Sequence, residues 1–258
     1  MSKYALITGG ASGLGKDLAE LFLKDGINLF LVSSNINNLE AAKKEFSDKY
    51  NVDIQILALD LSNPANFPKV KEYSDYHRLE VRYLVNCAGF GELADFKDMD
   101  INHQLKMVEL DCNCPMYLMS AYINEMLSKD EGDILNIASL ASYFPGPHMS
   151  TYHACKAFLL NLSEGINREL KYTNVHIATS CPGPFKSGFV DKAHNYHTFT
   201  KTKVFTSEKI AEISYNMMKK KKDVLVIGFK NKCSVFFSRF FSRKFITNIS
   251  AKMIKKGG

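Results

Sequence analysis

The chain is 258 residues long, with 33 basic and 27 acidic side chains and a net charge of +6. Its 46% hydrophobic and 23% charged residues are the balance of a globular domain, which excludes disordered, collagen-like, coiled-coil and disulfide-scaffold chains. About 250 residues suits one undivided α/β domain able to bury its own core.

The first residues lead straight into an apolar strand, Ala5–Thr8, so no leader segment is expected. No apolar run approaches the roughly 18 residues of a membrane span. A soluble, cytoplasmic protein is the expectation. The strand ends in Thr8-Gly9-Gly10-Ala11-Ser12-Gly13-Leu14-Gly15, and a helix follows to Lys24 with Leu14, Leu18, Leu21 and Phe22 on one face. Glycines at such a turn let a backbone approach a pyrophosphate, while the helix N-terminus offers free N–H groups. The spacing, G-x-x-x-G-x-G, differs from the common dinucleotide fingerprint, and a tight turn with no ligand is the bland alternative. Further strands are predicted at Asn28–Ser33, Ile54–Leu59, Tyr83–Asn86, Asp133–Ala138, Val175–Ser180 and Val224–Ile227. A long helix is predicted from about Ser150 to Leu170. This alternation predicts an α/β fold: a single doubly wound, Rossmann-like parallel sheet of about seven strands, with helices on both faces. In such sheets ligands bind beyond the carboxyl ends of the strands.

Three side chains suit acid–base chemistry there. Tyr152 and Lys156 lie four apart at a helix start, hence on one face, one turn apart. An ammonium beside a phenol stabilises the phenolate and lowers a pKa otherwise near 10. Ser139 directly follows an apolar strand, where a hydroxyl can bind a substrate oxygen. Taken singly, these read as ordinary features: a solvated helix face and a turn-capping serine.

Taken together, they resemble the short-chain dehydrogenase/reductase family. The shared signs are Thr8–Gly15, Asp60-Leu61, Asn86-Cys87-Ala88-Gly89, Ser139, Tyr152 with Lys156, and Cys181-Pro182-Gly183-Pro184, in the family's order from residue 3 to about 190. The resemblance implies an oxidoreductase interconverting a ketone and a secondary alcohol. It makes Tyr152 the proton donor, Lys156 the lysine that lowers the tyrosine pKa and holds the nicotinamide ribose, and Ser139 the residue orienting the substrate oxygen. Gly9, Ser12, Gly13, Leu14 and Gly15 would form the cofactor loop. Asp60 and Leu61 would meet adenine, Ala88 and Gly89 would line the cofactor, and Pro182 and Gly183 would lie beside the nicotinamide. Asn86 would steady the sheet and count among the cofactor-binding residues. Where the family has a fourth catalytic residue, an asparagine, an ungapped count lands on Asp111; Asn113 lies about 200° round the helix. Asp111 is taken for the role. Residues 1–228 are then the dinucleotide-binding and catalytic domain, with a substrate lid near 185–205, and residues 229–258 a basic tail of that domain or its interface.

NADP(H) is expected over NAD(H), because the second strand ends in Ser33-Ser34-Asn35 with no carboxylate to repel a 2′-phosphate. The arginine that NADP-preferring relatives often place at Ser34 is missing, and Lys16 is the one cation expected nearby. The substrate is expected to be bulky and apolar, walled by Tyr143-Phe144-Pro145-Gly146-Pro147 and by Phe185, Phe189, Tyr196, Phe199 and Phe205. A hydroxysteroid or bile acid leads, with a 3-oxoacyl thioester as the alternative; a non-catalytic cofactor-binding or membrane-surface protein is the reading from another class. Residues 229–258 carry eight cations and no acid, which leaves −2 on residues 1–228 against the +6 of the whole chain. Their phenylalanines recur at helical spacing, and packing against the domain or a second subunit is favoured over membrane contact. A homodimer or homotetramer is expected. Only five basic residues are arginine, so no nucleic-acid partner is expected. Cys87, Cys112, Cys114, Cys155, Cys181 and Cys233 form no C-x-x-C pair and read as reduced, structural thiols, and the histidines show no ligand spacing, so no metal is expected.

Overall fold

The computed structural model describes residues 3–186 and 205–254. Its strands are β1 (Lys3–Thr8), β2 (Asn28–Ser33), β3 (Ile54–Ala58), β4 (Glu80–Asn86), β5 (Gly132–Ile137), β6 (Val175–Cys181), β7 (Phe185–Lys186), β8 (Phe205–Thr206) and β9 (Val224–Val226). The α-helices are α1 (Gly13–Lys24), α2 (Ile36–Ser47), α3 (Phe67–Tyr76), α4 (Ile101–Val108), α5 (Cys114–Ser128), α6 (Ser150–Glu169), α7 (Ser207–Lys219), α8 (Phe229–Ser238) and α9 (Arg243–Met253). Seven strands form one parallel sheet in the order β3-β2-β1-β4-β5-β6-β9. The order reverses between β1 and β4, which creates a crevice at their carboxyl ends.

The central strands are buried on both sides, and their alternate residues feed two separate cores. Ala5 and Ile7 of β1 face Leu18 and Phe22 of α1, Leu39 and Phe46 of α2, and Ile210 and Met218 of α7. Tyr4 and Leu6, one residue out of phase, face Phe67 and Val70 of α3, Leu118 and Tyr122 of α5, and Leu159 of α6. Each fully buried Leu or Phe contributes about 1.5–3 kcal/mol, so truncating Phe22 or Phe30 costs about 3–5 kcal/mol.

The expected strands all form, with shifted ends. β4 begins at Glu80, three residues before its apolar run, because Lys3 of β1 pairs in register with Glu80. β7 and β8, a short parallel pair joining Phe185 to Phe205, were not expected. Of the expected lid, Phe189, Tyr196 and Phe199 lie outside the described residues. The tail departs further from expectation. It forms two helices rather than one stripe, and of its large apolar side chains only Val235 is buried. Packing of the phenylalanines on the chain's own domain is therefore not what the structure shows.

Candidate active site

The carboxyl ends of β1, β4, β5 and β6 bring the predicted residues into one crevice. β1 and β4 are tied together there by Thr8, whose Oγ1 accepts hydrogen bonds from the Cys87 and Ala88 amides, both at 3.1 Å. The loop after β1 folds against the first turn of α1 so closely that a Cβ on Gly15 would stand 2.3 Å from the Gly9 carbonyl oxygen. Only glycine fits. Leu14 and Gly15 are buried, whereas Ser12 and Gly13 are exposed, and Ser12 makes no side-chain cap to α1. The first-turn N–H groups are thus placed for an anion, as a pyrophosphate requires.

The residues expected beside adenine are held differently. The Asp60 carboxylate accepts from the Ser62 hydroxyl at 2.7 Å and from its amide at 2.9 Å, which holds it below the usual carboxylate range. Leu61 is buried in the second core. Ser33 is half-buried and Ser34 exposed at the end of β2, while Asn35 caps α2 through the Asn38 amide. Lys16, expected as the nearby cation, is ion-paired with Glu45 at 2.6 Å. Its charge is therefore already engaged by a carboxylate.

The reacting end is centred on α6. Its third and seventh residues, Tyr152 and Lys156, turn inward toward the end of β5. The Tyr152 hydroxyl is hydrogen-bonded to Ser139, and the Lys156 ammonium stands 5.7 Å from the centre of the Tyr152 ring. Ser139 Oγ also accepts from the Ala141 amide at 3.1 Å, which aims the serine at the crevice. Lys156 is buried; its Nζ donates to the Ile137 carbonyl at 3.3 Å and pairs with Asp111 Oδ1 at 2.6 Å.

Asp111 sits in a π-helical turn, Glu109–Asn113, between α4 and α5. The turn directs its carboxylate inward, where it is 1% exposed and Oδ2 accepts from the Phe90 amide at 3.3 Å. Asn113 instead donates to Glu109 Oε2 at 2.9 Å and does not join the cluster. Gly89 lies against the pair: a Cβ there would stand 2.6 Å from Asp111 Oδ1 and 3.2 Å from Lys156 Nζ.

Three titrations are coupled here. Burial pushes the Tyr152 pKa up, the Lys156 charge and the Ser139 hydrogen bond pull it down, and the Asp111 charge pushes it up again, for a net rise. Burial alone would lower the Lys156 pKa, but Asp111 and then Tyr152 raise it, so the ammonium persists. Burial pushes the Asp111 carboxyl above its ordinary range against the pull of Lys156.

Around the cluster, Asn86 donates to Asn136 Oδ1, and Asn136 donates in turn to Ser163 Oγ, both at 2.8 Å. This buried chain joins β4, β5 and α6. Sequence reasoning missed Asn136 and Ser163; the available signal was a polar residue inside the apolar run Ile134–Ala138. Pro182 and Gly183 follow β6, and Pro182 O accepts from the Leu140 amide at 2.8 Å. The aromatic loop is less open than expected. Tyr143 packs among Ala138, Leu160 and Cys181, and the Phe144 carbonyl is bonded to His153 Nδ1 at 2.7 Å. Phe185 packs on the first core. Cys112 and Cys155 are buried together beside Tyr152, whereas Cys114 joins the second core. Among the described residues no group of three His, Cys, Asp or Glu side chains is placed to hold a metal.

The model of the short chain dehydrogenase family, a family of oxidoreductases, matches residues 3–197. The very-long-chain 3-oxoacyl-CoA reductase of Vanderwaltozyma polyspora is 30% identical over 186 residues, covering 67% of this chain and 53% of that protein. The chain thus spans little more than half the length of that relative. A short-chain dehydrogenase from Sphingobium yanoikuyae in complex with NADPH superimposes with a TM-score of 0.83 at 24% identity, over 93% of this chain and 94% of that one. A 7β-hydroxysteroid dehydrogenase superimposes with a TM-score of 0.84 at 19% identity, over 96% of each chain. The family match runs from β1 through the Tyr152 helix and beyond β6, and on that ground the chain belongs to the short-chain dehydrogenase family.

Proposed function

We propose that the chain interconverts a ketone and a secondary alcohol on a bulky apolar substrate, using NADP(H). The observation that carries this reading is the convergence of Tyr152, Ser139 and Lys156 at the carboxyl end of β5. The tight approach of Gly15 to Gly9 leaves room for a pyrophosphate at the N-terminus of α1, so the residues fit a dinucleotide. Gly9, Ser12, Gly13, Leu14 and Gly15 would hold the phosphates, Asp60 and Leu61 the adenine, and Ala88, Gly89, Pro182 and Gly183 the nicotinamide side. A bound nicotinamide supplies or accepts the hydride.

The chain's own groups handle the proton. Ser139 Oγ holds the substrate oxygen beside the Tyr152 hydroxyl. Tyr152 gives its proton to that oxygen during reduction and takes it back during oxidation. Lys156 stays cationic and favours the tyrosinate left behind, while Asp111 fixes the ammonium and moderates its field. NADP(H) is preferred because Ser33 and Ser34 end β2 without a carboxylate, and the NADPH-bound relative agrees.

Two substrate classes remain from the sequence reading. The 3-oxoacyl thioester now leads, supported by the name of the reductase relative. The hydroxysteroid follows, supported by the 7β-hydroxysteroid dehydrogenase fold match. A homo-oligomer is also proposed, because Ile101 and Leu105 of α4, Met116 and Tyr117 of α5, and Phe158 of α6 are exposed apolar residues suited to a second copy. The test is NADPH consumption on long-chain 3-oxoacyl thioesters, steroid ketones and small sugars. Higher kcat/KM on one of the first two classes is expected. A preference for sugars would overturn the apolar reading, and activity with NADH but not NADPH would overturn the cofactor.

A further inference from the structure

The last two helices present an apolar face that the chain leaves uncovered. Phe229 and Phe236 share one side of α8, seven residues apart, and are 82% and 55% exposed. Phe240, in the turn that follows, is 70% exposed and brings its ring to 5.5 Å from that of Phe236. Phe241 then stacks on Phe245 at 4.9 Å, and Phe245, Ile249 and Met253 recur every four residues along α9, all exposed. The other side of α8 is the one that packs: Val235 is buried, and Asn231 occupies the space a Cβ on Gly183 would need, at 2.4 Å. The rings therefore point away from the domain while the helix rests on the segment after β6, at the active-site end of the sheet.

Charge separates the candidate occupants. Lys230, Lys232, Arg239, Arg243, Lys244 and Lys252 are interleaved with the rings along the chain, and none is ion-paired among the described residues. No acid occurs between residues 229 and 258. Pairing of this face with itself in a second copy would set its six cations against six more. Self-association has a better surface on α4, α5 and α6, which lies elsewhere in the chain. A surface of interleaved phenyl rings and cations fits an anionic bilayer, where rings enter the headgroup–acyl boundary and ammonium and guanidinium groups meet phosphates.

We propose that residues 229–253 dock the protein on an anionic phospholipid bilayer, with the active-site edge of the sheet beside the lipid. The docking stands independently of the substrate reading. The test is flotation of the full chain with vesicles of phosphatidylcholine alone and of phosphatidylcholine with about one third phosphatidylglycerol. Binding to the anionic vesicles should be about tenfold stronger and should weaken in salt. The triple substitution Phe236→Ser, Phe240→Ser, Phe245→Ser should reduce it about tenfold while NADPH binding, followed by cofactor fluorescence, stays unchanged. Equal binding to both vesicle types, or none at low salt, overturns the proposal. A triple variant that keeps vesicle binding but changes oligomeric mass in light scattering also overturns it and assigns the face to a second copy.

Discussion

The two edges of the sheet both carry ion pairs, under opposite conditions. At the amino edge, Glu131 meets Lys3 at 2.7 Å and Arg82 at 2.9 Å, while Asp133 meets Arg82 at 3.0 Å and also Lys221. Glu131 keeps substantial contact with water, and its two cations hold its pKa at about 2. At the carboxyl edge, Asp111 meets one cation, Lys156, in a setting without solvent, and burial pushes its pKa up instead. Pairs of the first kind that keep their water, such as Glu131 with Lys3, are cheap and stabilise modestly, although Asp133 in the same cluster is buried and Arg82 nearly so. A pair of the second kind costs desolvation that its own attraction hardly offsets, so stability does not explain it. What it provides is a fixed ammonium beside Tyr152.

Substitutions at the two edges should therefore differ in kind as well as size. Tyr152→Phe should lower ketone reduction about 10³-fold with little change in NADPH binding, since only the proton-donating oxygen is lost. Steady-state turnover alongside cofactor fluorescence checks this. Gly89→Ala should destabilise the fold by about 1–3 kcal/mol, because its Cβ meets the Asp111 carboxylate and the Lys156 ammonium, neither free to withdraw. Thermal unfolding reads that loss. Glu131→Gln should cost less, about 0.5–1 kcal/mol after solvent screening, and leave kcat unchanged. The Glu131 pKa is lowered from its ordinary 4.5 to about 2, so its contribution is complete above pH 4.5 and disappears as pH falls toward 2. Urea unfolding at neutral and acid pH should show the two proteins converging at the acid end.

How much of this was legible in the sequence depends on how far apart the partners lie. Tyr152 and Lys156 are four residues apart in one helix, and Ser139 follows a recognisable strand, so their local spacing could carry the family resemblance that singled them out. The glycine loop was legible because the close approach of Gly15 to Gly9 is itself local. Asp111 was reached by counting, and the π-turn that turns it inward has no plain sequence signal. The pairing of Lys16 with Glu45 was missed because it spans two helices, and the same holds for Asn136 with Ser163. The tail misled through periodicity: its apolar spacing predicted amphipathic helices correctly, but periodicity cannot say what covers their apolar face.

Asp111 tempers the charge of Lys156 and so bears on where Tyr152 titrates. Among the described residues, Lys156, Ser139, Asp111 and Cys155 act on Tyr152. Asp111 raises the Tyr152 pKa, so Asp111→Asn should lower it. Reduction needs the protonated tyrosine and fails as pH rises through that pKa. The direct measurement is the pH dependence of single-turnover NADPH oxidation with a reducible ketone, for the wild type and Asp111→Asn. An alkaline limb displaced to lower pH in the variant is the predicted result; a limb that stays in place or moves up would contradict the account.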